Sequence, residues 1–192
     1  MPTNANQQSA LNKGRLDKFI MVFQIPPALR EIEKRNTRSS TYVSENSLQF
    51  SIYGSIVPEL TVPAVQIPYA GSNLYQSAHA RQPYPPVTVN FTIDNEFNNY
   101  WVVYKWLDLL HDEKTGLYDS KNLGDDEDFN QYQTDMVIYG VDEYENKRIQ
   151  FTYTKAFPTI LGGINYNYRD TAEIASSMTF VYSQLHSQLL NL

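Results

Sequence analysis

Reactive side chains are few in this sequence, and their spacing gives them little to do. The three histidines, His79, His111 and His186, stand apart with no metal-ligand spacing between them. The acidic run Asp125-Asp126-Glu127-Asp128 lacks the ligand pattern and turn glycine of a calcium-binding loop, so it reads as solvated acidic loop. Gly162-Gly163 stands alone, without the lysine and hydroxyl of a phosphate-cradling loop. Ser176-Ser177 has no nucleophile-elbow context. Carboxylates do pair up between 112 and 145, but acid–base catalysis needs two groups held in fixed geometry, which an acidic loop does not supply. There is no cysteine, which excludes disulfides and thiolate metal sites. The expectation is a protein with no catalytic residues, no cofactor and no metal, and hence not an enzyme.

Charge adds a second exclusion. Net charge is −6, and eleven acids against Lys114 and Lys121 lie between Asp112 and Glu145. The remainder is slightly basic but carries no basic stripe of the kind that grips nucleic acid. No stretch approaches the roughly 18–20 apolar residues of a membrane helix. Residues 1–15 are polar with no apolar run, unlike a signal peptide, and read as a flexible or assembly-ordered arm. At 192 residues, one domain over 1–192 is expected.

The elements that would position any site are mostly strands. Residues 18–25 (KFIMVFQI) form an apolar run of high β propensity that Pro26-Pro27 ends. Residues 28–35 are a short helix candidate, followed by polar linker to 45. Residues 46–53 alternate, with Leu48, Phe50 and Ile52 on one face. In 57–69, Pro58, Pro63 and Pro68 recur every five residues, which suits an edge or a bent extended arm. A turn at 70–72 and an extended return to 80 follow. Residues 87–94 alternate cleanly. The helix expected at about 96–111 is capped by Asp94 or Asn95, with Phe97, Trp101, Tyr104 and Leu107 as its main apolar stripe, widened by Val102, Trp106 and Leu109. Beyond the acidic loop, 134–139 and 147–154 make a hairpin about a turn at 141–146. Residues 156–163 read as a compact turn, and 172–185 as one final strand. The fold class is mainly β: an antiparallel sandwich or barrel with one principal flanking helix.

The outward faces of these strands are hydroxyls and amides: Gln49, Ser51 and Tyr53; Thr88, Asn90 and Thr92; Gln150, Thr152 and Thr154; Ser177, Thr179 and Ser183. A sheet facing bulk water usually carries Lys and Glu, which also blunt edge-to-edge pairing. Two readings are open: an ordinary solvated face rich in Ser and Thr, or a face inside an assembly, against a neighbour or around a polar lumen. A long arm on a small chain also needs something to pack on. Its apolar residues Val62, Val65, Ile67, Tyr69, Leu74 and Tyr75 are the ones expected to meet another subunit. A monomeric β-sandwich that binds carbohydrate or protein through the tyrosine-rich arm is the reading from another class.

Taken in order, the segments KFIMVFQI, SLQFSIYG, VPELTVPAVQIPY, NLYQSAHARQPYPPVTVNFTIDNE, NNYWVVYKWLDLL, MVIYGVDEYENKRIQFTYTKAFPTILGGINYNY and EIASSMTFVYSQL resemble the tail tube proteins of contractile-tailed bacteriophages. That family is related to the tube proteins of type VI secretion and of phage-like bacteriocins. The resemblance spans roughly 18–186 and rests on order and spacing; 26–45 and 112–133 look like loop insertions. It implies a tail-tube fold and a structural virion protein, made in the host cytoplasm. Six copies would form a ring whose sheets join into a continuous barrel, and rings would stack into a tube for DNA ejection. Partners implied are further copies of the chain and the sheath, baseplate and tape-measure proteins, with DNA passing unbound. A tube initiator on the baseplate is the alternative within the family.

Overall fold

The computed structural model describes residues 13–29, 51–55, 57–111, 116, 132–169 and 171–190. In chain order its elements are β1 (Phe19–Phe23), β2 (Ser51–Ser55), β3 (Ala64–Tyr69), β4 (Ser72–Ser77), β5 (Val87–Thr92), α1 (Asn98–Asp108), β6 (Thr134–Val141), β7 (Lys147–Leu161), β8 (Ala175–Val181) and β9 (Gln184–Leu189). A helical turn starts at 27–29, and Ala28 and Leu29 are buried. The rest of the expected 28–35 helix, the linker to 45, the strand residues before Ser51 and nearly all of 112–133 lie outside the described residues.

Pairing is antiparallel throughout, in the order β1-β6-β7-β8-β5-β2, with β9 also on β7 and β3 paired to β4 alone. The fold is therefore mainly antiparallel β with a flanking helix, as expected. The path does not close: β1 and β2 are its two ends.

β7 serves two sheets. Its first part pairs β6 and β9, from Lys147 to Ala156, and Phe157–Leu161 pairs β8. Tyr153, Ala156 and Pro158 are all buried along it, a spacing that strict alternation forbids. The first of two register shifts makes it possible. Lys155, at φ 52, is the extra residue where Thr134 and Met136 oppose Ala156 and Tyr153. A second shift lies between Pro158 and Ile160. Each bulge moves following side chains to the other face, so the core side is kept as the strand crosses from one sheet to the other. The compact turn expected at 156–163 is thus strand as far as Leu161. The final strand expected over 172–185 is instead two, broken at Tyr182-Ser183, where Ser183 N–H donates to Thr154 O at 2.9 Å.

Both sheets turn one face to a single core, which includes Val89, Phe91, Met136, Tyr153, Met178 and Phe180. α1 closes it. Its buried face is Asn99, Val102, Val103 and Trp106, continued by Leu109. Of the expected apolar residues, Val102, Trp106 and Leu109 are on this face, Phe97 and Trp101 are partly buried against it, and Tyr104 is exposed. The helix begins at Asn98, after Phe97 at φ 60. Asp94 Oδ1 accepts from Asn98 N–H at 2.7 Å, so the expected capping carboxylate does meet the helix start, from outside the cap position. Buried Asn99 ties the helix to β5: its Nδ2 donates to Thr92 O at 2.9 Å, and its Oδ1 accepts from Tyr100 N–H at 2.8 Å. Trp106 Nε1 donates to Tyr132 O at 2.7 Å, and its ring meets Phe180 edge-on.

After β7 the chain crosses β8 at Gly162, whose N–H donates to Ser177 O at 2.7 Å and whose carbonyl accepts from Ser176 Oγ at 3.0 Å. A Cβ there would stand 2.8 Å from Ser177 Oγ and 3.0 Å from the Ser177 backbone nitrogen. The backbone contact cannot rotate away, so Gly162→Ala should destabilise the fold by about 1–3 kcal/mol, as overpacking does; denaturant melts compared with wild type check this.

The β6–β7 turn is tied by Asp142. Burial would raise its carboxyl, but this is outweighed by donation from the Asn146 N–H and amide, the Arg148 guanidinium and the Tyr144 N–H, and it is brought down to about 2. A carboxyl depressed on folding contributes stability above its ordinary 3.8 and loses it as pH falls toward about 2. Asp142→Asn should therefore lower the melting temperature at neutral pH, and its deficit against wild type should shrink across that acid window. A deficit constant with pH would contradict this account.

Candidate assembly surface

The outer face of β2, β5 and β8 gathers five of the expected polar residues. Thr88, Asn90 and Thr92 alternate with buried Val87, Val89 and Phe91. Ser177 and Thr179 alternate with buried Ser176, Met178 and Phe180. Register places Thr88 opposite Thr179 and Asn90 opposite Ser177. The Thr88 and Thr179 hydroxyls are 3.0 Å apart. Ser51 of β2 stands in register opposite Thr92. Asn90 fills the space above Gly54, where a Cβ would lie 3.2 Å from its Nδ2.

Gln150, Thr152 and Thr154 are not part of that face. They lie on the outer side of the other sheet, in register with Gln188, His186 and Gln184 of β9. Gln150 Nε2 donates to Thr152 Oγ1 at 3.0 Å. The sequence's single polar face is therefore two, on opposite sides of one core. Gln49 lies outside the described residues.

The arm is a β-hairpin. Ala70 and Gly71 form its two-residue turn at φ 47 and 81, the primed geometry that suits the twist of paired strands. Pro68 sits in the ladder opposite Asn73, and Pro63 O accepts from Ala78 N–H at the base. All six residues of β3 and all six of β4 are exposed. The hairpin nevertheless has two chemical faces. Val65, Ile67, Tyr69 and Leu74 share one, with Ile67 directly opposite Leu74. Gln66 and Tyr75 are on the other, joined by a 2.7 Å hydrogen bond. Val62 is exposed in the outgoing stem. The return stem is anchored at Tyr84, whose ring packs on Tyr182 under the Arg81 guanidinium and whose hydroxyl donates to Leu185 O. Burial pushes the Tyr182 hydroxyl up to about 12 and also raises Tyr153, which packs edge-on against it. These phenols stay protonated at ordinary pH and act as packing groups.

The strand edges are bare of charge. β1, β2, β3, β4, β5, β8 and β9 contain no Asp, Glu, Lys or Arg. Folded chains commonly protect such edges with lysine or proline. Here β1, β2 and β9 each have one described partner strand, and no described strand pairs the side of Phe157–Leu161 away from β8. Sequence reasoning missed one surface. Phe19 and Met21 pack on the core, so Ile20 and Val22 point outward, 42% and 47% exposed. Both faces of that strand are apolar, so no alternation marked it. Among the described residues no group of His, Cys, Asp or Glu could hold a metal ion, and no helix is long and apolar enough to cross a membrane.

Open uncharged edges, a projecting hairpin and amide-and-hydroxyl faces define a structural protein made to meet other chains. The chain belongs to the phage tail tube protein family, whose model matches residues 15–188. It is a component of the virion tail. Among curated protein sequences none matches it. Solved structures share its fold at low identity. A chain of the sheath–tube complex of PVC, an extracellular contractile injection system, in the extended state is 10% identical; the match covers 98% of this chain and 99% of that one, with TM-score 0.60. A chain of the tube-terminating cap of the anti-feeding prophage is 11% identical, covering 99% and 100%, with TM-score 0.59. A chain of the baseplate of the same particle is 11% identical, covering 88% and 90%, with TM-score 0.51.

Proposed function

We propose that six copies of this chain close a ring and that rings stack into the tail tube, a conduit for DNA ejection. The observation that carries the reading is the charge-free β2–β5–β8 sheet, open at β2 on one side and at Phe157–Leu161 of β7 on the other. Joining β2 of one copy to the open side of β7 in the next would continue the ladder around the ring and leave no edge in the β2–β5–β8 sheet. The outer face of that sheet, with Thr88, Asn90, Thr92, Ser177 and Thr179, would then line the lumen. DNA is held by proteins chiefly through Lys and Arg that displace its counterions. A wall of hydroxyls and amides offers no such contact, so DNA slides past unbound.

The hairpin, with Val62, Val65, Ile67, Tyr69, Leu74 and Tyr75, and the acidic 112–133 segment would carry contacts between subunits or rings. Gln150, Thr152 and Thr154, on the opposite sheet, would face away from the lumen. The sheath–tube and baseplate assemblies containing its structural neighbours support sheath and baseplate proteins as partners here, with a tape-measure protein in the lumen during assembly. The chain would be made in the host cytoplasm and built into the tail there. An end-of-tube role, on the baseplate or at the terminus, is the second reading; the cap and baseplate neighbours favour it.

Purified protein should form rings or stacked tubes in electron micrographs, and sedimentation should show a sixfold species. A stable monomer at high concentration, with no ring in tail material, sinks the proposal. Thr88→Lys should leave ring assembly intact and slow DNA delivery by infective particles; normal delivery from particles bearing that variant removes Thr88 from the lumen.

A further inference from the structure

We infer that the hairpin of one copy docks its apolar face on the outer face of β1 and β6 in a second copy. The inference rests on the tube reading above. A hairpin that docks on an identical hairpin makes a two-fold contact, which ends at a dimer. A ring or stack needs a head-to-tail contact, in which one surface of the chain meets a different surface of the next. The apolar hairpin face must then find a different apolar surface on the same kind of chain.

Among the described strands, the outer face of β1 is the surface of matching character. Ile20 and Val22 are two residues apart, as Val65 and Ile67 are, so both present apolar side chains at the strand period. Val22 stands opposite Val137 of β6, and Ile20 opposite Tyr139, which extends the patch by one strand. Ile67 stands opposite Leu74, which extends the hairpin face in the same way. None of β1, β3 or β4 carries a formal charge, and the one charge of β6, Asp135, lies at the end of its outer face and already accepts from the Lys155 N–H. Two cations border the patch: Lys147 already lies over the Tyr139 ring, 4.1 Å from its centroid, and Lys18, just before β1, pairs with Glu145 at 3.9 Å. The other strand faces do not compete. Those of β5 and β8 present hydroxyls and amides, and the exposed Tyr53 of β2, Ile160 of β7 and Leu189 of β9 each stand without a second exposed large apolar residue at the strand period.

The absence of cysteine makes the test free of background. Single-cysteine variants I67C and L74C are each mixed with I20C or V22C, assembled and oxidised. A disulfide requires Cα atoms within about 7 Å, so only a seated hairpin couples them. A cross-linked dimer from at least one mixed pair, absent from each variant alone, is the expected result. Ile67→Lys and Val22→Glu should each reduce assembly by about tenfold or more, because each buries an unpaired charge. Combining the two in one chain should restore assembly, and circular dichroism of each variant establishes that it is folded. Tubes that form without any mixed disulfide, coupling of I67C to itself, or loss in the single variants that the double variant fails to restore would each overturn the docking while leaving the tube reading intact. Wild-type protein that forms no ring at all refutes the tube reading first.

Discussion

A strand can serve two sheets only if its inside stays inside when it changes partners, and the architecture of this chain depends on β7 doing so. Its first part completes a sheet with β6 and β9, and Phe157–Leu161 completes another with β8. A uniform strand would turn its apolar set outward on one of the two. The bulge at left-handed Lys155 turns Ala156 and Pro158 to the same core as Tyr153, and the second register shift after Pro158 turns Leu161 toward it. Asp135 Oδ1 accepts from the Lys155 N–H at 3.0 Å, so the first bulge has a hydrogen-bond partner of its own. With the crossing fixed, Gly162 can pass close to Ser176 and Ser177, Tyr100 can reach the Gly162 carbonyl, and α1 has a closed surface on which to lie.

This dependence marks what a sequence shows and what it hides. Val87–Thr92 was legible because every second residue is apolar and the strand stays in one sheet. The hairpin about Asp142–Asn146 was legible because its turn residues separate two β-rich runs. The length of β7 was not, since AFPTILGG carries the Pro and Gly of a turn and no local pattern announces a bulge. The break at Tyr182-Ser183 was hidden for the related reason that the chain there leaves β8 pairing for β9 pairing without any turn residue. The helix face was legible in Val102, Trp106 and Leu109, but not in Tyr104, which is exposed, nor in buried Asn99, a polar residue that bonds to the β5 end and that no apolar pattern marks. The polar surface suffered most: Thr88 and Thr152 look alike in sequence, and only the fold places them on opposite sheets.

The same geometry separates self-sufficiency from assembly. One core is well filled, with Trp106, Tyr153, Phe91 and Phe180 fully buried, so the described chain satisfies its own interior. Its edges are a different matter. Backbone N–H and C=O groups at a strand edge are obligatory hydrogen-bonding groups, and water or another strand must meet them. Evolution usually makes the second outcome difficult with a lysine or an inward charge. β1, β2 and β9 have none. Side-chain chemistry thus leaves the edges as competent templates, a hazard in a lone domain and an asset in a component of a tail tube.

Low identity with full-length structural agreement follows from the same physics. A chain 10% identical overlays 98% of this one at TM-score 0.60. Ladders are made by backbone groups, which every residue but proline supplies in full, so pairing constrains side chains weakly. The constraints that survive are alternation, the places where alternation must flip, and the few close approaches. Alternation tolerates exchange among Val, Ile, Phe and Met on the inner side and among Ser, Thr, Asn and Gln on the outer. A bulge needs a residue that accepts its backbone angles, and Gly162 needs the absence of a side chain. A tail tube protein therefore keeps its fold through position classes rather than through particular residues, and its surface stays free to vary wherever it meets no partner.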